Sequence, residues 1–320
     1  MLDGSSKYLL VDFMNMAFRA YYAYSAQMSF TDDEGTPTGM TYGLLSMTLS
    51  LIRDTGATHV AFANESRVRT FNAELVQIES LKDSTLQAAF PAGYKGSRKE
   101  MEPTLRAQLD MAERACIEMG WPVYRSEGYE ADDTLASLAA LANALGHKAV
   151  IVTGDQDLWQ CVSEGTTVYA PKPRGVYLEI TPKTFGEFME GLTPKQIVEY
   201  KAIVGDASDG YPGCPGIGPK GAHALLQEYG TVESVYEHID SIKGAAQTKL
   251  IANKPLVMIS RELARLNPQA PVDFDPSAGK VTMPYPESAA TFIRKHGMAS
   301  LEKRIGRESF PEETHDAFPL

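Results

Sequence analysis

Cysteine is scarce in this chain. Three occur in 320 residues, Cys116, Cys161 and Cys214, odd in number and far apart. A disulfide framework is therefore not expected, and a reducing, cytoplasmic setting is the default. Neither these cysteines nor the six scattered histidines fall at zinc-ligand spacing, so zinc and imidazole chemistry are not suggested. No apolar run approaches the roughly 20 residues of a membrane helix. The opening MLDGSSKYLLVDF lacks the apolar stretch and cleavage site of a signal peptide, so no membrane partner is expected. Positive charge is also short: 30 Lys+Arg against 41 Asp+Glu, a net −11, the wrong sign for an ordinary nucleic-acid binder. The useful question is whether the acids are dispersed or gathered. The hydrophobic share of 43% and charged share of 22% are those of a folded protein with ample core.

Strand and helix patterns alternate. Tyr8–Val11 reads as a buried strand ending at Asp12, followed by a helix over Met14–Tyr24. A turn-rich loop at 31–37 precedes a helix over Gly39–Arg53, then a strand over His59–Ala63 that stops at Asn64. The stretch 68–90 has helical spacing and leads into Pro91–Lys99, a glycine-rich basic segment with one tyrosine. Further patterns are a helix from Pro103 to Met119, a short strand near Val123, a helix over Glu130–Leu145 and a strand over His147–Thr153. A short helical turn over Gln156–Val162 and a hairpin of 167–169 with 176–178 follow; from Thr181 onward the pattern is mostly helical. This order predicts an α/β fold, a mostly parallel central sheet flanked by helices, with a helical subdomain. The expected division is a core over 1–180, helices over 181–307 and a loose tail over 308–320.

The carboxylates sit where such a fold gathers its loops. Asp12 ends the first strand; Glu130, Asp132 and Asp133 open a helix in GYEADD; Asp155 and Asp157 follow a strand in TGDQD; Asp206 and Asp209 lie in GDASDG. Strand ends and the loops after them share one sheet edge, where Asp12, Asn64, Asp155 and Asp157 are expected. Clustered acids raise one another's pKa unless a cation sits among them. Hard divalent ions with oxygen ligands fit best, and Mg²⁺ uses few carboxylates plus water and phosphate. Two such ions about 4 Å apart are the usual arrangement for phosphodiester cleavage. Any single Asp or Glu here also suits a helix cap, so the case rests on their joint placement.

A second motif is Gly216-Ile217-Gly218-Pro219-Lys220, which opens an apolar helix. Proline suits the first helical position. The glycines allow a tight turn and close approach of a ligand. Free N–H groups at that start, with Lys220, suit a DNA phosphate contact independent of sequence.

LLVDFMNMAFRAYYA, GYKGSR, GYEADDTLASLA, VTGDQDLWQ and GDASDGYPGCPGIGPKGAHALL occur in that order. Together they resemble the 5′-nuclease family: the 5′→3′ exonuclease domain of bacterial DNA polymerase I and its stand-alone phage relatives, akin to flap endonucleases. The resemblance covers residues 7–306, and the chain is too short to carry a polymerase as well. It implies a nuclease core with a helical arch over about 65–103 and a helix–three-turn–helix element with its hairpin over 205–229. It implies that Asp12, Glu130 and Asp132 hold a first Mg²⁺, and that Asp133, Asp155, Asp157 and Asp209 hold or orient a second, with Asp206 nearby; Mn²⁺ would substitute. It implies that Lys95 and Arg98 contact the scissile phosphate, that Tyr94 stacks on a base, and that Arg19 touches DNA. It implies duplex gripping through Gly216, Gly218 and Lys220, with K⁺ near Ser208 and Ile217.

Two departures stand out. The family has Asp at the end of the second strand, where this chain has Asn64, which offers a carbonyl oxygen without charge. The stretch from Asn64 to Tyr94 is also longer than in the polymerase-attached relatives. The expected activity is metal-dependent 5′→3′ exonuclease or 5′-flap endonuclease cleavage of DNA, and of RNA:DNA primers, to 5′-phosphate and 3′-hydroxyl products. The expected partners are duplex DNA with 5′ ends or flaps and replisome proteins, with the chain itself a monomer. The alternative is a structure-specific DNA-binding protein weakened or inactive because of Asn64. A toxin-type ribonuclease would lack the PGIGPK hairpin.

Overall fold

The computed structural model describes residues 6–24, 30–96 and 101–306. Arg98 and the tail 308–320 lie outside the described residues. Six strands, β1 (Lys7–Asp12), β2 (His59–Ala63), β3 (Val123–Tyr124), β4 (Lys148–Val152), β5 (Thr166–Pro171) and β6 (Tyr177–Ile180), form one sheet. Its order is β3-β2-β1-β4-β5-β6. All pairs are parallel except β5 with β6, the hairpin read from the sequence. The strands read as short unbroken apolar runs because helices cover both faces.

The first helices are α1 (Phe13–Tyr24), α2 (Gly39–Thr55), α3 (Phe71–Ser80), α4 (Ser84–Ala89), α5 (Pro103–Glu118) and α6 (Ala131–Ala144). The helices after the sheet are α7 (Phe185–Phe188), α8 (Gln196–Val204), α9 (Pro219–Tyr229), α10 (Val232–Glu237), α11 (Ala245–Ala252), α12 (Lys254–Ala264), α13 (Glu287–Lys295) and α14 (Ala299–Ile305).

Pleating sorts the sheet residues between two cores. Tyr8, Leu10, Ala61 and Ala63 face Leu135 and Leu138 of α6. Leu9, Val11, Val60 and Phe62 face the other way, with Met16 of α1, Leu44 of α2 and Leu109 of α5. In the β1–β2 register, Asp12 lies opposite Ala63. These parities decide which side of the sheet edge each polar residue serves.

Two local expectations change, and the short helical turn over 156–162 takes 3₁₀ form. The stretch 68–90 is two helices, because Asp83 accepts the N–H groups of Thr85 and Leu86 and so starts a second helix. Its buried residues Val76, Leu86 and Phe90 join Leu256, Ile259 and Leu263 of α12 in a third apolar cluster. Residues 157–161 form a 3₁₀ turn. The late helices are also divided. Gly279 O accepts the N–H of Val60, and Ala289, Ile293, Leu301 and Ile305 pack in the core of α2 and α5. Residues 279–305 thus return to the sheet rather than extending the helical part expected over 181–307.

Candidate active site

Asp12 is buried at the end of β1, with only 7% of its surface exposed. Its Oδ1 accepts the Asn15 N–H at 3.1 Å and its Oδ2 accepts the Thr153 hydroxyl at 2.8 Å. The Thr153 hydroxyl oxygen in turn accepts the Asp155 N–H at 3.0 Å, and Asp155 Oδ1 accepts the Asp157 N–H at 2.9 Å. Asn15 Oδ1 accepts the Gly154 N–H at 3.0 Å. A side chain at Gly154 would come within 2.9 Å of the Asn15 amide, so it would push Asn15 out of this hydrogen bond. The ends of β1 and β4 are thereby held together by hydrogen bonds among the acids' own neighbours.

The start of α6 brings Glu130, Asp132 and Asp133 to the same edge. Asp133 serves a different role from the expected one. Its two oxygens accept the Glu130 N–H at 3.2 Å and the Asn267 N–H at 2.7 Å. It caps the helix and tethers the chain near residue 267, which leaves Glu130 and Asp132 to face the site.

Asp206 and Asp209 arrive on the loop after α8. The Lys201 ammonium lies 2.5 Å from Asp157 and from Asp206, and 3.9 Å from Asp155. The Lys95 ammonium lies 3.1 Å from Glu130 and 3.4 Å from Asp209. Lys95 holds φ of 53°, a left-handed conformation unusual outside glycine, and the site retains it. Lys201 carried no signal in the sequence; it reaches the acids only because α8 packs against the 3₁₀ turn that bears Asp157.

The electrostatics follow from burial and crowding. Burial, then the neighbouring Asp155 and Glu65, raises Asp12 to about 6 against the hydrogen bonds that favour its charge. Burial pushes Asp132 well above the usual range, with Asp155, Asp12, Asp157 and Glu65 adding to it. Burial brings Asp157 to about 7 even though Lys201 opposes it. Glu130 is raised by burial, against the pull of Lys95. Burial would also raise Asp206, but hydrogen bonds from Lys201 and Ser208 hold it at about 2. Burial would favour neutral Lys201; Asp157 and Asp155 reverse this and keep it charged.

Among the described residues, no three acidic, histidine or cysteine side chains converge as a ready metal cage. Five of the acids meet ammonium groups instead, Glu130 and Asp209 at Lys95 and Asp155, Asp157 and Asp206 at Lys201. The donor set nevertheless fits hard divalent ions. It is all oxygen, it repels itself, and Lys201 already shows a cation held among Asp155, Asp157 and Asp206.

Tyr94 does not offer a stacking face. Its ring is 9% exposed in the cluster with Leu86 and Tyr211, and its hydroxyl donates to Glu130 at 3.3 Å. Burial drives its pKa far up, so it stays a phenol. Arg19 donates to the Lys172 carbonyl at the β5–β6 turn, on the same sheet edge as the acids.

Asn64 also departs from expectation. Its Nδ2 donates to Glu113 Oε2 on α5 at 2.9 Å, and its Oδ1 accepts the N–H of Glu65 at 2.8 Å. Arg125 holds the same Glu113 carboxylate. Asn64 lines a cleft of about 400 Å³ with Arg67, Arg106, Glu113 and Arg125, on the α5 side of the sheet. Pleat parity is the reason, since Asn64 lies two residues after Phe62 and shares its face, opposite that of Ala63.

The hairpin after α8 is built from close backbone contacts. Gly205 and Gly213 both have positive φ, and a Cβ on Gly213 would come within 2.3 Å of the Gly205 nitrogen. Ser208 is exposed beside Asp206, to which its N–H donates at 2.7 Å, while Ile217 is buried. The Gly216 carbonyl accepts from the Lys249 ammonium at 2.8 Å. Gly218 caps α9 with open space where a side chain would stand, and Lys220 is exposed in its first turn.

Acids on the strand ends of a parallel sheet, beside a helix started by glycines and open to a phosphate, define a nuclease-type α/β core with a helical hairpin element. The chain belongs to the 5′-3′ exonuclease family. The profile of the 5′-3′ exonuclease N-terminal resolvase-like domain matches residues 7–190, and that of its C-terminal SAM fold matches 192–287. The 5′-3′ exonuclease of Bacillus subtilis is 31% identical over 94% of this chain and 97% of its own length. DNA polymerase I of Lactococcus lactis is 32% identical over 98% of this chain. The chain spans only 35% of that polymerase, and 27% of the Mycobacterium tuberculosis enzyme, which is 34% identical over 82% of this chain. Among solved structures, T5 5′-exonuclease with bound zinc has a TM-score of 0.62 at 20% identity, over 93% of this chain and 96% of that one. The catalytic core of Rad2 with DNA substrate has a TM-score of 0.55 at 16% identity, over 91% and 87% of the two chains. These two likenesses concern the fold.

Proposed function

We propose that this chain is a two-metal 5′-nuclease that cuts DNA at 5′ ends or 5′ flaps, leaving 5′-phosphate and 3′-hydroxyl products. The observation that carries the reading is the meeting of carboxylates from α6, the loop after β4 and the loop after α8 around two ammonium groups, with Asp12 of β1 tied to the same loop through Thr153. Asp12, Glu130 and Asp132 are the holders of a first Mg²⁺; Asp155, Asp157 and Asp209 hold a second, with Asp206 beside it. Bound metal would supply the charge that activates water and offsets the leaving oxygen; Mn²⁺ would substitute. Lys95, and with it Arg98, would neutralise charge on the scissile phosphate. Tyr94 orients Glu130 rather than touching a base. The α9 start, through Gly216, Gly218 and Lys220, would hold a duplex phosphate, with K⁺ near Ser208 and Ile217 as an auxiliary cation and Arg19 as a further DNA contact. RNA:DNA hybrids are a second substrate class, and the cytoplasm is the setting.

A 5′-labelled flap duplex tests this. The chain should cut it only with a divalent metal, and Asp155→Ala should lose on the order of a hundredfold or more in rate. Binding of the flap without cleavage, at every Mg²⁺ or Mn²⁺ concentration, would sink the reading.

A further inference from the structure

The first metal's proposed ligand set has acids from β1 and α6 but none from β2, where Asn64 is turned to the opposite face. The ladder shows where the next residue goes. Asn64 N–H donates to Tyr124 O at 3.0 Å, so the extended strand runs one residue beyond β2. Asp12 lies opposite Ala63, and Ala63 faces α6. Side chains two apart on a strand share a face. Glu65 therefore shares the face of Ala63 and Asp12, and Asn64 shares that of Phe62 and Glu113.

The loop beyond is latched toward the same place. Ser66 Oγ accepts the Gly128 N–H at 3.1 Å, and Gly128 O accepts the Phe71 N–H at 2.8 Å. Gly128 stands two residues before Glu130, so Glu65 is held beside the start of α6. Its charge is felt by Asp12, Glu130 and Asp132 alike. Among the described residues, no side chain or backbone N–H donates to the Glu65 carboxylate. A half-buried carboxylate without a donor, facing three others, is unfavourable unless a cation joins them.

We propose that Glu65 supplies the β2-side carboxylate for the first divalent metal, one residue after Asn64 and on the face that Asn64 does not serve. The proposal rests on the two-metal reading above.

Mn²⁺ titration by calorimetry, with the Mn²⁺-induced rise in melting temperature as a second readout, separates the outcomes. Glu65→Gln should weaken Mn²⁺ binding by at least about tenfold, the scale on which even outer partners of a metal act. Its melting temperature in EDTA should equal or exceed the parent's, because a repulsive charge is gone; a merely structural residue would lower it. Asn64→Ala should leave Mn²⁺ affinity unchanged. Glu65→Gln binding Mn²⁺ as the parent does, while Asp132→Asn binds weakly, would overturn the role of Glu65 and spare the metal site. If Asp132→Asn also binds as the parent does, the two-metal reading falls and this proposal with it.

Discussion

Asp12 carries the conflict of the whole site in one side chain. It is buried and accepts two hydrogen bonds that favour its charge, yet its pKa is raised from 3.8 to about 6. Between those values the folded chain keeps a proton that the unfolded chain has released. Stability therefore falls as pH rises through that window, and the penalty is complete above it. Asp12→Asn removes the penalty. In EDTA at neutral pH the variant should unfold at a higher temperature than the parent, with on the order of 3 kcal/mol more stability. The gap should close as pH falls below the ordinary carboxylate range, and added Mn²⁺ should reverse the order. Thermal melts across pH, with and without metal, check this; a variant less stable than the parent in EDTA at neutral pH would refute it. Lys201 shows the complementary logic: a buried lysine stays charged because Asp157 and Asp206 enclose it.

The elements behind the hairpin depend on a buried ion pair. Glu199 on α8 receives Arg261 of α12 through both oxygens, at 2.7 to 3.1 Å, and also accepts the Val232 N–H at 2.9 Å. Arg261 additionally reaches Glu233 of α10. Three helices thus meet on one carboxylate, and α8 is the helix that delivers Lys201 and the loop of Asp206 and Asp209. Arg261→Met leaves Glu199 buried with one donor and should cost about 3–5 kcal/mol. A urea midpoint that hardly moves would show the pair to be dispensable. The sequence showed GDASDG within a mostly helical pattern, without marking α8 as a separate helix. The pairing of Glu199 with Arg261, 62 residues apart, had no local signal.

At the scale of the molecule, the net −11 is unevenly distributed, and its sign does not exclude DNA. Many of the acids stand at one sheet edge, while Lys220 and Lys249 mark the hairpin. A phosphate contact at the α9 start predicts salt-dependent flap binding. Lys220→Ala should weaken binding to all duplex sequences alike and flatten the log–log salt dependence by about one unit. A salt titration of a labelled duplex reads both, and an unchanged slope would remove Lys220 from the interface. Among the described residues, no helix is long and apolar enough to cross a membrane.

The alternation of short apolar strands with helices, the carboxylates at their ends and the glycine–proline opening of α9 were all legible in the chain. Each follows from local rules: strands bury both faces, loops at strand ends carry polar residues, and only glycine and proline suit those turns. Asn64 marks where such reading stops. Its position at the end of β2 was evident, but its face depends on the register of β2 with β1, and that is set by packing against α5 and α6. The same holds for Asp133, which the motif joined to the metal set and the fold used as a cap because Asn267 lies beside it. Tyr94, expected to stack on a base, is buried because α12 lies beneath it. Lys201 and Glu65 became visible only with the tertiary structure. A side chain's neighbours across the chain are chosen by packing, and one residue of register moves a charge from one side of a sheet to the other.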